Sequence, residues 1–104
     1  IFTTGGTGIS PTDVTVETVR ELIAYEIPGP MEEVRRVGAQ KEPRALLSRG
    51  IAGVLEGDPR AVIINAPGSR GGARDTIAVV GPLLEHMVDQ LDGADHDLSR
   101  PSSG

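Results

Sequence analysis

The chain contains no cysteine and no tryptophan, and its only aromatic residues are Phe2 and Tyr25. Without thiols there is no disulfide framework and no thiolate metal site. That accords with a reducing compartment, and we expect a cytoplasmic protein. Two aromatics are too few for the stacking platforms that hold single-stranded nucleic acid. Positive charge is also short: ten Lys and Arg stand against fifteen Asp and Glu, for a net charge of −5. A general nucleic-acid surface is therefore not expected. No apolar run is long enough to span a bilayer, and no signal-peptide pattern is present, so no membrane role is expected. Both familiar nucleotide fingerprints are missing. No Gly-Lys-Ser/Thr follows the first glycine loop, and the glycine spacing is not G-x-G-x-x-G.

What is present is punctuation by glycine and proline. At 104 residues the chain is one domain or part of one. It opens without Met on Ile1 and Phe2, which read as the end of a strand. A strand feeding a loop normally has more residues before its last apolar pair, so we expect the upstream part of the domain to lie outside this numbering. Thr3-Thr4-Gly5-Gly6-Thr7-Gly8 follows. Three glycines allow tight bends with N–H groups pointing outward, and such a turn before a helix N-terminus suits an anion such as phosphate. Thr4 and Thr7 add hydroxyls. A plain strand-to-helix turn is the competing reading.

Ser10, with Pro11 next and Asp13 three residues on, can cap a first helical turn. Thr15 offers a second start, with Glu17 in its first turn. Val16, Val19, Leu22 and Ile23 recur at helical spacing, and the helix is expected to end near Tyr25, before Ile27-Pro28-Gly29-Pro30. Pro30 opens a second helix with the stripe Met31, Val34 and Val37, and Glu32 and Arg36 stand four apart on it. After Glu42-Pro43-Arg44 comes a short apolar turn, then Ser48-Arg49-Gly50. Arg49 reads either as a surface arginine closing a short helix or as an anion clamp.

Ile51 to Leu55 and Ala61 to Ile64 read as strands joined through the turn Glu56-Gly57-Asp58-Pro59, so we expect a mixed sheet with an antiparallel hairpin. A second glycine loop, from Asn65 through Pro67, Gly68 and Ser69 to Gly72, leads into a helix capped by Ser69. That helix carries Ile77, Val80, Leu84, Met87 or Val88, and Leu91, with a kink or break at Pro82. Residues 93–104 read as a flexible tail, including His96 between two aspartates, and His86 reads as an ordinary surface or packed residue. In open α/β sheets ligands collect at the carboxyl ends of strands. Both glycine loops leave such ends, so they are expected to meet in one pocket. Asp13 reads either as a helix cap or as a carboxylate serving a Mg²⁺ beside phosphate.

Thr4-Gly5-Gly6-Thr7-Gly8, Pro11 with Asp13-Val14-Thr15, Ile27-Pro28-Gly29, Leu47-Ser48-Arg49, and Ile64-Asn65 with Pro67-Gly68-Ser69 together resemble the MoaB/Mog type of molybdopterin adenylyltransferase in molybdenum-cofactor biosynthesis. The resemblance runs from Thr4 to roughly Leu91 and covers the second half of the family domain. The family's first βα units, with an acidic residue used with Mg-ATP, have no counterpart here. It implies a three-layer α/β/α domain with a mostly parallel mixed sheet, spanning residues 1–92, and a homotrimer. It implies transfer of AMP from Mg-ATP to the molybdopterin phosphate, with a molybdenum-insertion protein as a further partner.

By the same resemblance Thr4, Gly5, Gly6, Thr7 and Gly8 would cradle phosphate. Asp13 would be the catalytic carboxylate at Mg²⁺. Ser48, Asn65, Pro67, Gly68 and Ser69 would bind substrate, and Arg49 would contact an anion. Arg70 stands where the family often has proline. Two alternatives stay open: a pterin carrier without catalysis, and the related domain of competence/damage-inducible proteins.

Overall fold

The computed structural model describes residues 1–92. The tail expected at 93–104, with His96, lies outside the described residues. The elements run β1 (Phe2–Thr4), α1 (Thr15–Leu22), β2 (Ile23–Glu26), α2 (Pro28–Ala39), a 3-10 turn (Pro43–Leu47), β3 (Ile51–Leu55), β4 (Ala61–Ala66) and α3 (Arg70–Leu91).

The four strands form one sheet in the order β1-β4-β3-β2. β3 and β4 are the expected hairpin, paired from Ile51↔Asn65 to Leu55↔Ala61. β1 lies parallel to β4, from Phe2↔Ile64 to Thr4↔Ala66. β2 adds to the far side of β3, antiparallel, with a register shift between Ile23 and Tyr25. The sheet is mixed, as expected, but only one of its three pairings is parallel, so the parallel majority does not hold among these strands. For β3 and β4 the connection explains it: a parallel neighbour needs a crossover of a dozen or more residues, and the turn between them is far too short.

Alternation along β3 and β4 sends side chains to two cores. Ala52, Val62 and Ile64 face Met31 and Val34 of α2 and Val80 of α3. Ile51 and Ile63 face Val16 and Val19 of α1 on the other side. The result is the expected three layers, with α1 on one face and α2 and α3 on the other. Each fully buried Ile or Val contributes about 1.5–3 kcal/mol.

Several local expectations are corrected. Ser10 and Asp13 do bond to each other: the Ser10 N–H donates to Asp13 Oδ2 at 3.1 Å, and the Asp13 N–H to the Ser10 carbonyl at 2.9 Å. They close a free-standing turn, however, and not a helix. The Asp13 carbonyl is taken by Arg49 Nη2, and the helical ladder opens one residue later, where the Thr18 N–H donates to the Val14 carbonyl. Thr15, the second expected start, is the first residue of α1. That helix stops at Leu22, and Ile23 turns extended (φ −83°, ψ 145°) into β2. Ile23, Tyr25 and Ile27 alternate with Ala24 and Glu26, a strand period that overlaps the helical one ending at Ile23.

α2 starts at Pro28, two residues earlier than expected, and Arg36 pairs with Glu33 at 2.7 Å in place of Glu32. α3 runs unbroken through Pro82 from its Ser69 cap. Its buried face is Asp75, Thr76 and Val80, while the expected core residues Ile77, Leu84 and Val88 are exposed. Choosing that face from apolar residues alone missed the two polar side chains on it. Among the described residues no helix is long and apolar enough to cross a membrane.

Candidate functional site

The parallel pairing of β1 with β4 places their carboxyl ends side by side, and both glycine loops start there. Gly5 and Gly6 take φ of +92° and +68°, a region that side-chain-bearing residues rarely occupy. The Gly5 N–H donates to the Ala66 carbonyl at 2.9 Å, tying the first loop to the end of β4. The second loop approaches so closely that a Cβ added at Gly68 would lie 3.2 Å from Gly5 Cα. The two bends thus form one surface. Among the described residues the N–H groups of Gly6, Thr7 and Gly8 donate to no protein acceptor.

A third segment closes the site. The Arg49 N–H donates to the Thr7 carbonyl at 2.7 Å, and Ser48 Oγ lies 3.5 Å from Thr7 Oγ1. The Arg49 side chain spans the first loop. Its Nε donates to the Gly8 carbonyl at 2.8 Å, its Nη2 to the Asp13 carbonyl at 2.8 Å, and both Nη groups reach Glu17, the shorter at 2.5 Å. Four N–H donors of the guanidinium are committed to the protein. Arg49 is therefore neither a free anion clamp nor a solvated helix end: it braces the glycine loop against α1. The hydrogen bond from Arg49 holds the Glu17 carboxyl below the usual carboxylate range, and the same contact raises Arg49.

Asp13 is half-buried at the rim. Its carboxylate packs on Gly8, where an added Cβ would lie 2.6 Å from Oδ2. Asn65 is fully buried beneath the first loop. Its Nδ2 donates to Thr3 Oγ1 at 3.0 Å and the Gly5 carbonyl at 3.3 Å, and Oδ1 has no partner. It holds the loop from below. Ser69 Oγ accepts from the Gly72 N–H at 3.0 Å and so caps α3.

A cavity of about 440 Å³ opens between these loops, the 3-10 turn and the end of α2. Of the residues expected at the site, Thr7, Gly8, Ser48, Pro67 and Ser69 line it. Thr4, Gly5, Gly6, Asp13, Arg49, Asn65 and Gly68 do not line it but build or flank its loops. Sequence reasoning missed Arg35, Lys41 and Asp75, which also line the cavity. Arg35 Nη1 donates to the carbonyls of Ser48, at 3.4 Å, and Gly50, at 3.1 Å, fixing that segment from α2. Lys41 pairs with the buried Asp75 at 3.2 Å. Asp75 had a usable signal: it falls on the same helical stripe as Val79. Arg35 had none, because its partners are distant in sequence.

Two parallel-strand ends, an amide-lined bend and an arginine-braced loop define a three-layer α/β domain with its glycine loops gathered at the strand ends. Comparison makes the family specific. Residues 1–86 match the family described as "Probable molybdopterin binding domain", and the chain belongs to the MoaB/Mog group of molybdenum-cofactor biosynthesis proteins within it.

The chain is 38% identical over 94 residues to the molybdenum cofactor biosynthesis protein B of Staphylococcus aureus, an alignment spanning 88% of this chain and 54% of that protein. It is 35% identical over 96 residues to a molybdenum cofactor biosynthesis bifunctional protein of Chlorobaculum tepidum, spanning 92% of this chain and 30% of that one. The solved structure of the molybdopterin biosynthesis Mog protein from Mycobacterium ulcerans superposes with a TM-score of 0.83 at 45% identity, over 89% of this chain and 59% of that one. The chain thus spans somewhat over half the length of the protein B and Mog relatives and under a third of the bifunctional one.

Proposed function

We propose that the protein is a molybdopterin adenylyltransferase, moving AMP from ATP onto the terminal phosphate of molybdopterin. The observation that carries this reading is the meeting of the two glycine bends, with three successive amides of the first lacking an internal acceptor. Membership of a molybdopterin-binding family supplies the pterin. In the reaction an oxygen of the molybdopterin phosphate attacks the α-phosphorus of ATP, the new P–O–P bond forms, and pyrophosphate leaves. Two anions must approach each other, and negative charge accumulates on the transferring phosphoryl oxygens. Positioning and fixed N–H donors are what such a step requires.

The amides of Gly6, Thr7 and Gly8 hold phosphate oxygens, helped by the Thr4 and Thr7 hydroxyls. Ser48, Ser69 and Pro67 line the pterin side. Arg49 keeps the carbonyls of Gly8 and Asp13 turned away from the bound anions.

Asp13 is the residue that would hold Mg²⁺. Among the described residues there is no group of three or more His, Cys, Asp or Glu side chains placed for a metal. A Mg²⁺ that arrives on a nucleotide does not need one, since one or two carboxylates plus phosphate oxygens suffice. When bound, it supplies positive charge to the phosphate groups. A cytoplasmic homotrimer that hands its product to a molybdenum-insertion protein completes the reading.

Incubation with ATP, Mg²⁺ and molybdopterin tests it. Pyrophosphate release with an adenylylated pterin is the expected result. Tight pterin binding with neither product would identify a carrier and overturn the enzymatic assignment.

A further inference from the structure

We propose that Asp75, with Lys41 as a displaceable counter-ion, reads the amino/imino edge of the pterin ring in the cavity; this rests on the molybdopterin reading above. Asp75 is 9% exposed, on the inward face of α3, and lines the cavity. Its Oδ1 accepts from Lys41 Nζ at 3.2 Å. Its Oδ2 has no hydrogen-bond partner among the described residues and lies beside Gly38, 3.5 Å from where a Cβ would stand. The lysine side chain is 72% exposed and the aspartate side chain 12%. The carboxylate is thus the buried partner of the pair, and its cation reaches it from solvent. Oδ2 thus keeps an open acceptor at the cavity wall, and a ring that covers it must supply a donor or leave it unpaired at a cost.

The cavity states what that partner looks like. Val34, Ala45, Leu47 and Pro67 give it apolar walls, suited to a flat ring. Asp75 stands six residues along α3 from the Ser69 cap, about 9 Å at 1.5 Å per residue. A ring reaching Asp75 therefore leaves its substituent chain near Ser69, Thr7 and Gly8.

An ionised carboxylate only accepts hydrogen bonds, and it does so best from two parallel N–H groups. The 2-amino and N3–H groups of a 2-amino-4-oxopteridine offer such a pair. The pairing edge of adenine offers one donor and one acceptor, and so fits poorly. A simple organic cation is disfavoured because Arg35, Lys41 and Arg44 already line the same cavity.

The test compares pterin with lumazine, in which an oxo group replaces the 2-amino group, by fluorescence titration of the wild type, Asp75→Asn and Lys41→Met. The wild type is expected to favour pterin by about tenfold to a hundredfold, the range for a charge-assisted pair. Asp75→Asn keeps the shape but turns one acceptor into a donor, so it should level the two ligands while leaving ATP affinity unchanged. Lys41→Met should bind pterin a few-fold more tightly, because no counter-ion has to be displaced, and this arm decides the matter if Asp75→Asn proves unstable.

Retention of the full pterin preference by Asp75→Asn, or weaker pterin binding by Lys41→Met, would overturn the role of Asp75 and leave the proposed function standing. A wild type that binds ATP but neither pteridine would overturn the molybdopterin reading itself.

Discussion

Gly5 and Gly6 are adjacent, both have positive φ, and they differ in one respect that makes a controlled experiment. A Cβ at Gly5 would meet nothing within 4 Å, whereas at Gly6 it would overlap Thr15 Oγ1 and lie 2.6 Å from Thr15 Cβ. Gly5→Ala therefore carries only the backbone penalty, about 1–2 kcal/mol. Gly6→Ala carries that penalty plus overpacking of about 1–3 kcal/mol, for a total of about 2–5 kcal/mol. At about 4–8 °C per kcal/mol for a domain of this size, the two melting points should be well separated. Urea unfolding followed by far-UV circular dichroism reads the difference, with equal m-values checking that both variants unfold from the same state. Thr15→Gly in the Gly6→Ala background removes the obstructing atoms and should recover the packing part but not the backbone part. The double-mutant cycle then gives a coupling of about 1–3 kcal/mol. A coupling near zero, or a Gly6→Ala variant no less stable than Gly5→Ala, would refute the claim that the first loop is seated on Thr15.

Gly8→Ala places a methyl 2.6 Å from Asp13 Oδ2 and must push the carboxylate aside; turnover should fall by about tenfold or more while stability changes by less than about 1 kcal/mol, measured by pyrophosphate release and thermal melting. Asp13→Asn should slow AMP transfer by about a hundredfold and leave pterin affinity within about twofold, since Asp13 does not line the cavity; equal loss of both would count against its role at the metal. Glu17 has a lowered pKa in the folded protein, caused first by the hydrogen bond from Arg49. The stability it contributes is therefore present above its usual value of 4.5 and lost as pH falls through the lowered one. The melting-point gap between wild type and Glu17→Gln should hold steady at neutral pH and close in acid; a gap that persists in acid would show that the contact does not depend on charge.

What was legible in the chain was whatever neighbouring residues decide among themselves. The glycine bends, the Ser69 cap and the β3–β4 hairpin each depend on a few adjacent residues, and all three are found where the chain order places them. β2 was hidden because Ile23 closes a helical stripe and opens a strand alternation at once, so two periods claimed one residue. The exposed side chains of α3 were misassigned because a polar pair, Asp75 and Thr76, occupies the buried face instead of Ile77. Arg49 shows the limit most clearly. Its neighbours Ser48 and Gly50 say only that a charged side chain leaves a tight segment. Whether it points to solvent, to an anion or back into the protein depends on three acceptors more than thirty residues away: the carbonyls of Gly8 and Asp13 and the carboxylate of Glu17. Those acceptors also give the arginine its meaning. A loop that offers its N–H groups to an anion must put its carbonyls somewhere, and carbonyls facing the same anion would repel it. By drawing the carbonyls of Gly8 and Asp13 to itself, the guanidinium removes that repulsion, and so, in the proposed function, would favour phosphate without having to touch it.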